Sequence, residues 1–235
     1  MTTSKKVVVV GGGTMGADVA LVFLRGGYAV EIIEAGTERR SFLPQYFEFQ
    51  IKELGYAKPD KPITVHADLK DVAWPSVDLV VECIPEKLPL KQELFKQLDQ
   101  LAHAHTILAS NSSSFPISQI AEGLNTTNRM IGLHFFMPAH LVPCVEVIKG
   151  EKTSQAVMDD LFQIMTRCLM VSMRSSAKVV TVACTRSVGI CCDSIMMVPV
   201  LWYTGGMSSA TATATANTPP KVATMSSARR LRMER

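Results

Sequence analysis

Between Lys6 and Gly16 the chain reads KVVVVGGGTMG, and this stretch narrows the choice of fold more than any other. Val7 to Val10 form a β-branched apolar run of strand length, and Gly11, Gly13 and Gly16 follow at G-x-G-x-x-G spacing. The pattern predicts a strand, a tight turn and the start of a helix. Gly11 lets the chain turn, Gly13 lets backbone approach a pyrophosphate, and Gly16 lets the helix pack close on its strand. The phosphates would sit on free N–H groups at the helix N-terminus, where the macrodipole favours anions. Glycine-rich turns also occur at plain β-α junctions and in methyltransferases, so the motif needs support from elsewhere. It comes from a second strand, Tyr28 to Ile33, which ends in Glu34. An acid about 20 residues past the glycines accepts the adenosine ribose hydroxyls of a dinucleotide and repels a 2′-phosphate, which favours NAD over NADP. Arg39 and Arg40 lie close enough in sequence to keep NADP open.

The rest of the front part alternates strands and helices. A helix is expected over Ala17–Arg25, ended by Gly26 and Gly27, and another over Ser41–Leu54 with Phe47, Phe49 and Ile51 to bury. Ile63–His66 reads as a short strand and Val77–Cys83 as a buried parallel one; Leu88–Leu101 is an amphipathic helix and Thr106–Ala109 the next strand. After the polar loop Ser110–Ser114 come strands at Met130–Phe135 and Val145–Ile148 and a helix at Ser154–Leu169. This order specifies an α/β fold, a Rossmann-type doubly wound and mostly parallel sheet with helices on both faces. Past about Val171 the periodicity stops. Residues 205–218, GGMSSATATATANT, are of low complexity, and residues 205–235 read as poorly ordered. The expected organisation is therefore an NAD-binding domain over 1–170 and an atypical tail over 171–235.

With 235 residues, 47% of them hydrophobic, the chain can build a sizeable core. Its net charge of +3 is unevenly spread: residues 1–170 carry 16 basic and 19 acidic side chains, and residues 171–235 carry 8 and 2. The tail arginines are interleaved with Ser, Thr, Ala and Met rather than with stacking aromatics, so neither nucleic acid nor membrane is expected as a partner. The six cysteines show no C-x-x-C pair and read as free thiols in a reducing compartment. No apolar run reaches ~18 residues, and the N-terminus runs straight into the first strand, so a cytoplasmic location is the expectation.

Three further stretches fall where strands of such a sheet end, the edge at which doubly wound folds bind ligands: residues 81–91 (VECIPEKLPLK), 110–118 (SNSSSFPIS) and 132–150 (GLHFFMPAHLVPCVEVIKG). His134 ends one strand and Glu146 lies in the next. Adjacent strands would bring imidazole and carboxylate into hydrogen-bond range, the arrangement of a base whose tautomer is held by an acid. A core histidine is the bland alternative for His134, but a carboxylate in an apolar strand needs a partner and His134 is the nearest. His140 is a rival base that reads as structural. The serines of 110–114 are either a solvated loop or hydroxyl donors to a substrate oxygen.

GGGTMG, VECIPEKLPLK, SNSSS and HFFMPAH…VEVIKG, in this order, resemble the NAD-binding half of the L-3-hydroxyacyl-CoA dehydrogenase family, which includes 3-hydroxybutyryl-CoA dehydrogenases and the lambda-crystallin-like L-gulonate 3-dehydrogenases. The resemblance covers about residues 5–170. It implies NAD as cofactor, a small-molecule substrate such as a 3-hydroxyacyl-CoA, His134 as catalytic base, Glu146 as its carboxylate partner and Ser113 as the hydroxyl at the 3-oxygen. By the same resemblance Gly11, Gly13, Thr14, Met15, Gly16, Glu34, Glu86 and Lys91 would hold the cofactor, with no metal. The chain departs from the family pattern in three places. Met137 stands where HFFNP is common, the segment from Glu34 to Asp68 is short, and no Pro-Gly-Phe…Asn-Arg segment with a helical, dimer-forming domain follows. A tail that does not encode that domain, through an altered reading frame or a divergent short form, implies NAD binding with poor turnover. The competing readings are a non-catalytic NAD-binding protein, a dehydrogenase of a non-CoA 3-hydroxy acid such as L-gulonate, and a methyltransferase, for which the His134–Glu146 pair would have no use.

Overall fold

A computed structural model describes residues 5–56 and 62–170, together with the backbone of two later strands. Val7–Val10 are buried on both sides, and their side chains alternate between two cores: Val7 and Val9 join one, Val8 and Val10 the other. That is why the run is continuously apolar rather than alternating. It forms β1 (Lys6–Val10), the centre of the fold. The chain then passes through α1 (Thr14–Arg25), β2 (Ala29–Ile33), α2 (Thr37–Glu53), β3 (Thr64–His66), β4 (Leu79–Glu82), α3 (Leu88–Leu101), β5 (Ile107–Ser110), a single helical turn α4 (Ile117–Ile120), β6 (Met130–Phe135), β7 (Cys144–Lys149) and α5 (Gln155–Met170). The sheet order is β3-β2-β1-β4-β5-β6-β7, with parallel pairing from β3 through β6 and β7 antiparallel to β6. The first six strands have the Rossmann order, whose reversal lies between β1 and β4.

Most element boundaries follow the sequence pattern to within two residues, but α1 starts at Thr14 rather than Ala17. α2 starts at Thr37 rather than Ser41, and Gly36 at its N-cap donates its N–H to the Glu34 carboxylate at 2.7 Å. Phe47 is buried as expected, but Phe49 is 57% exposed. Two residues along a helix turn through about 200°, so a side chain two positions from a buried one faces away; Ile51, four positions on, returns to the core side. Beyond α5 the sheet gains β8 (Val180–Arg186), parallel to β7, and β9 (Met196–Val200), antiparallel to β8. The sequence reading places no element there, since it finds no sustained helical period past about Val171. The chain divides into units of residues 1–203 and 204–235. The low-complexity stretch and the expectation of poor order over 205–235 lie outside the described residues.

One core packs α1, Leu43 and Phe47 of α2, and α5 against one face of the sheet; the other packs Leu94, Phe95 and Leu98 of α3 and Ile117 and Ile120 of α4 against the opposite face. Both faces being covered, ligand access is left to the strand ends. Among the described residues no helix is long and apolar enough to cross a membrane.

Candidate active site

At the C-terminal end of β1 the chain turns at Gly11, whose φ of +102° suits glycine and whose Cβ, were there one, would lie 2.7 Å from the Cys83 carbonyl oxygen. A Cβ on Gly16 would lie 1.8 Å from the Gly11 oxygen, so only glycine lets α1 start this close to β1. Gly13 is different. No protein atom lies within 4 Å of where its Cβ would be, so the space above it is open. Gly13 is also the N-cap of α1, and no side chain caps that end. Thr14 is exposed there and Met15 partly buried. An open cradle over an uncapped helix N-terminus fits a pyrophosphate.

Glu34, just past β2, grips this loop. Its Oε2 accepts from the Gly12 N–H at 2.7 Å and its Oε1 from the Gly36 N–H at 2.7 Å. Arg39 donates from Nε to the Gly12 carbonyl at 2.6 Å, while Arg40 donates to the carbonyls of Glu34 and Ala35. Both arginines are thus engaged with backbone beside the acid.

β4 ends in Glu82, which is completely buried. Its Oε1 accepts from Lys91 Nζ at 2.6 Å and from the Ile84 N–H at 2.8 Å, and its Oε2 accepts from the Ser110 hydroxyl at 2.5 Å. Lys91, only 1% exposed, also lies 3.1 Å from Glu86 Oε2. Glu86 in turn accepts from the Ser112 hydroxyl and from the Ser114 N–H at 3.0 Å. Burial pushes the Glu86 carboxyl upward, but the Ser112 hydroxyl, the Lys91 ammonium and the Ser114 N–H outweigh it and hold its pKa below the usual carboxylate range. Ser113 sits exposed in the same loop, its hydroxyl 3.4 Å from that of Ser114.

His134 and Glu146 stand directly opposite each other in the β6–β7 pair, and Nδ1 lies 2.8 Å from Glu146 Oε2. Cross-strand partners share a face of the sheet, so the register alone brings imidazole and carboxylate together. The Phe136 ring lies 4.9 Å from the imidazole. The Phe135 N–H, next to His134, donates to Asn111 Oδ1 at 2.9 Å, while the Asn111 N–H donates to the Glu82 carbonyl at 2.9 Å. The serine loop, the buried acid of β4 and the histidine strand are therefore tied into one network.

Two groups of expected site residues emerge: Gly11, Gly13, Thr14, Met15, Gly16 and Glu34 at the ends of β1 and β2, and Glu86, Lys91, Ser113, His134 and Glu146 at the ends of β4 to β7. Lys91 is buried behind Glu86 rather than exposed in the cleft. Glu82 and Asn111 escape the sequence reading, and Ser110 and Ser112, expected as solvated or substrate-facing hydroxyls, donate instead to Glu82 and Glu86. The signal for Glu82 was the one used for Glu146: a carboxylate closing an apolar strand demands a partner. His140 lies away from the histidine–glutamate pair: its Nδ1 is 3.0 Å from Asp18 on α1, a buried carboxylate that also accepts from the Tyr46 hydroxyl at 2.6 Å. The thiols of Cys83, Cys144 and Cys168 are unpaired, and burial pushes all three up in pKa, Cys168 to about 12. Among the described residues no group of three or more metal-ligating side chains occurs.

Residues 6–176 match the family model described as 3-hydroxyacyl-CoA dehydrogenase, NAD binding domain. The human mitochondrial hydroxyacyl-coenzyme A dehydrogenase is 37% identical over 170 residues, which cover 67% of this chain and 54% of the human one. The Arabidopsis thaliana peroxisomal fatty acid beta-oxidation multifunctional protein AIM1 is 34% identical over 167 residues, 68% of this chain and 23% of that protein. Among solved structures, 3-hydroxybutyryl-CoA dehydrogenase from Escherichia coli superposes with a TM-score of 0.67 at 27% identity, covering 79% of this chain and 39% of the other. The chain thus spans about half the length of its mitochondrial relative and under a quarter of the multifunctional one.

Proposed function

The chain belongs to the 3-hydroxyacyl-CoA dehydrogenase family through its NAD-binding domain, and from that premise we propose that it moves hydride between NAD and a 3-hydroxyacyl-CoA, with His134 as base. The observation that carries this reading is the 2.8 Å contact between His134 Nδ1 and Glu146 Oε2 at the strand edge beside the serine loop. With Nδ1–H donated to the carboxylate, Nε2 is the basic nitrogen, available to take the proton of a substrate hydroxyl. Glu146 holds the ring's tautomer and offsets the imidazolium charge that results. Ser113 offers a hydroxyl to the same substrate oxygen. Gly13, the N-terminus of α1 and Glu34 hold the pyrophosphate and adenosine ribose, and Glu86 lies along the remainder of the cofactor. When bound, NAD supplies the hydride acceptor.

The test is oxidation of NADH driven by acetoacetyl-CoA, followed at 340 nm. His134→Ala is expected to lower kcat by 10² to 10⁴, the usual worth of a positioned acid–base group; full activity in that variant refutes the assignment of the base. A second reading, NAD binding without turnover, draws on the apolar surface beside the site, where Phe136, Met137 and Leu141 are 37%, 65% and 53% exposed. It predicts saturable NADH binding and no oxidation with any 3-oxo substrate, CoA-linked or free.

A further inference from the structure

Two carboxylates and one ammonium meet at the end of β4, so the Glu82–Glu86–Lys91 group carries one net negative charge when all three are ionised. That charge is not shared evenly. Glu82 is completely buried and holds Lys91 at 2.6 Å, against 3.1 Å for Glu86. A buried anion cannot dispense with its counter-ion, because water is not there to replace it. The Lys91 charge is therefore taken up chiefly by Glu82, and the surplus rests on Glu86, the one member with an exposed side chain, at 36%. Glu82 also fixes the serine loop, by accepting from the Ser110 hydroxyl and from the Asn111 N–H through its own carbonyl.

The sheet order sets where this surplus acts. Glu34 follows β2, the glycine loop follows β1, and Glu86 follows β4, in that spatial sequence. A dinucleotide with its ribose on Glu34 and its pyrophosphate at the α1 N-terminus runs on toward β4 and β5, so its nicotinamide half lies on the Glu86 side. The nicotinamide ring is a cation in the oxidised cofactor and neutral after it accepts hydride.

We infer that Glu82 is a positioning residue: by taking up the Lys91 charge it leaves Glu86 as a net anion on the nicotinamide side, which biases the site toward the oxidised cofactor. This rests on the reading that the chain binds NAD across this edge.

The experiment is calorimetric titration of the full chain with NAD⁺ and, separately, with NADH, at constant ionic strength. The readout is the ratio of the two dissociation constants. Glu82→Gln removes the surplus charge, and the ratio is expected to move about fivefold against NAD⁺, the size of effect a unit charge exerts across a partly solvated cleft. Ser110→Ala keeps every charge and removes only the hydroxyl that ties the serine loop to Glu82, so it is expected to weaken both forms alike. Should Glu82→Gln fail to fold, Glu86→Gln removes the same charge from an exposed position and the same shift is expected. An unchanged ratio in either folded glutamine variant overturns the inference while leaving NAD binding intact. A wild-type chain that binds neither form overturns the cofactor reading on which the inference rests.

Discussion

Replacing Lys91 with methionine tests the energetics of the site most directly. The ammonium is 1% exposed and is held by Glu82, at 0%, as well as by Glu86 and the Ile84 carbonyl. Methionine keeps much of the side-chain volume, so packing around α3 changes little, but the Glu82 carboxylate is left buried with only the Ser110 hydroxyl and the Ile84 N–H. Removing one partner of a buried ion pair typically costs about 3–5 kcal/mol. Against a total stability of roughly 5–15 kcal/mol this is a large fraction. For a domain of this size each kcal/mol shifts the melting temperature by about 2–4 °C, so a fall of about 6–20 °C is expected. The double variant Glu82→Gln/Lys91→Met removes the stranded charge and is expected to recover more than half of the loss, because a neutral amide is far cheaper to bury than a carboxylate. Thermal melts and urea titrations of the wild type, the single variant and the double variant measure both effects. A Lys91→Met melting point within 2 °C of wild type, with an unchanged urea midpoint, would falsify the argument that Lys91 neutralises a buried acid.

The glycines separate fold from ligand. Gly16→Ala drives a Cβ into the Gly11 oxygen, which lies 1.8 Å away, and is expected to lower the melting point strongly, whereas Gly13→Ala meets no protein atom within 4 Å and should cost only the roughly 1 kcal/mol of a poorer N-cap while weakening NADH binding at least tenfold; fluorescence titration that finds full affinity in Gly13→Ala argues against a pyrophosphate over that glycine. Because the Glu86 pKa is lowered in the folded chain, the stability it contributes is complete above the ordinary carboxylate range and lost as pH falls through the lowered value. Ser112→Ala removes one cause of that shift, so an NMR titration should find the Glu86 carboxyl moved upward; an unmoved value contradicts the assignment. Cys168 is buried and Cys83 partly buried, and the desolvation that raises both pKa values makes them poor nucleophiles. Peptide mapping after treatment with a thiol reagent at pH 8 should show both unlabelled in the native chain and labelled after unfolding.

Much of the fold is legible because its signals are local. The β-branched run, the glycine spacing and the acid at the end of β2 each lie within one supersecondary unit, and the physics that reads them acts over a few residues. α3 is found at its expected boundaries, Leu88–Leu101, because its apolar period is clear and its neighbours are strand and loop. β6 is found at Met130–Phe135 as expected, and the antiparallel return of β7 brings Glu146 opposite His134, since a short proline-containing loop leaves the next strand little choice of partner. Phe49 faces solvent against its apolar character, because that character does not specify which side of a helix a residue faces.

What the sequence alone determined, then, is the doubly wound sheet, the glycine cradle and the identity of the histidine and acid that pair between β6 and β7. Tertiary structure decided which polar groups share one burial site. Glu82, Lys91 and Ser110 come from β4, α3 and β5, and Asp18, Tyr46 and His140 from α1, α2 and the β6–β7 loop. The need of a buried carboxylate for partners can be read from one strand or helix, but the choice among distant partners is made only when the sheet and its helices pack. That packing puts the Lys91 ammonium between two acids rather than in the open cleft, and engages His140 with α1 rather than beside Glu146.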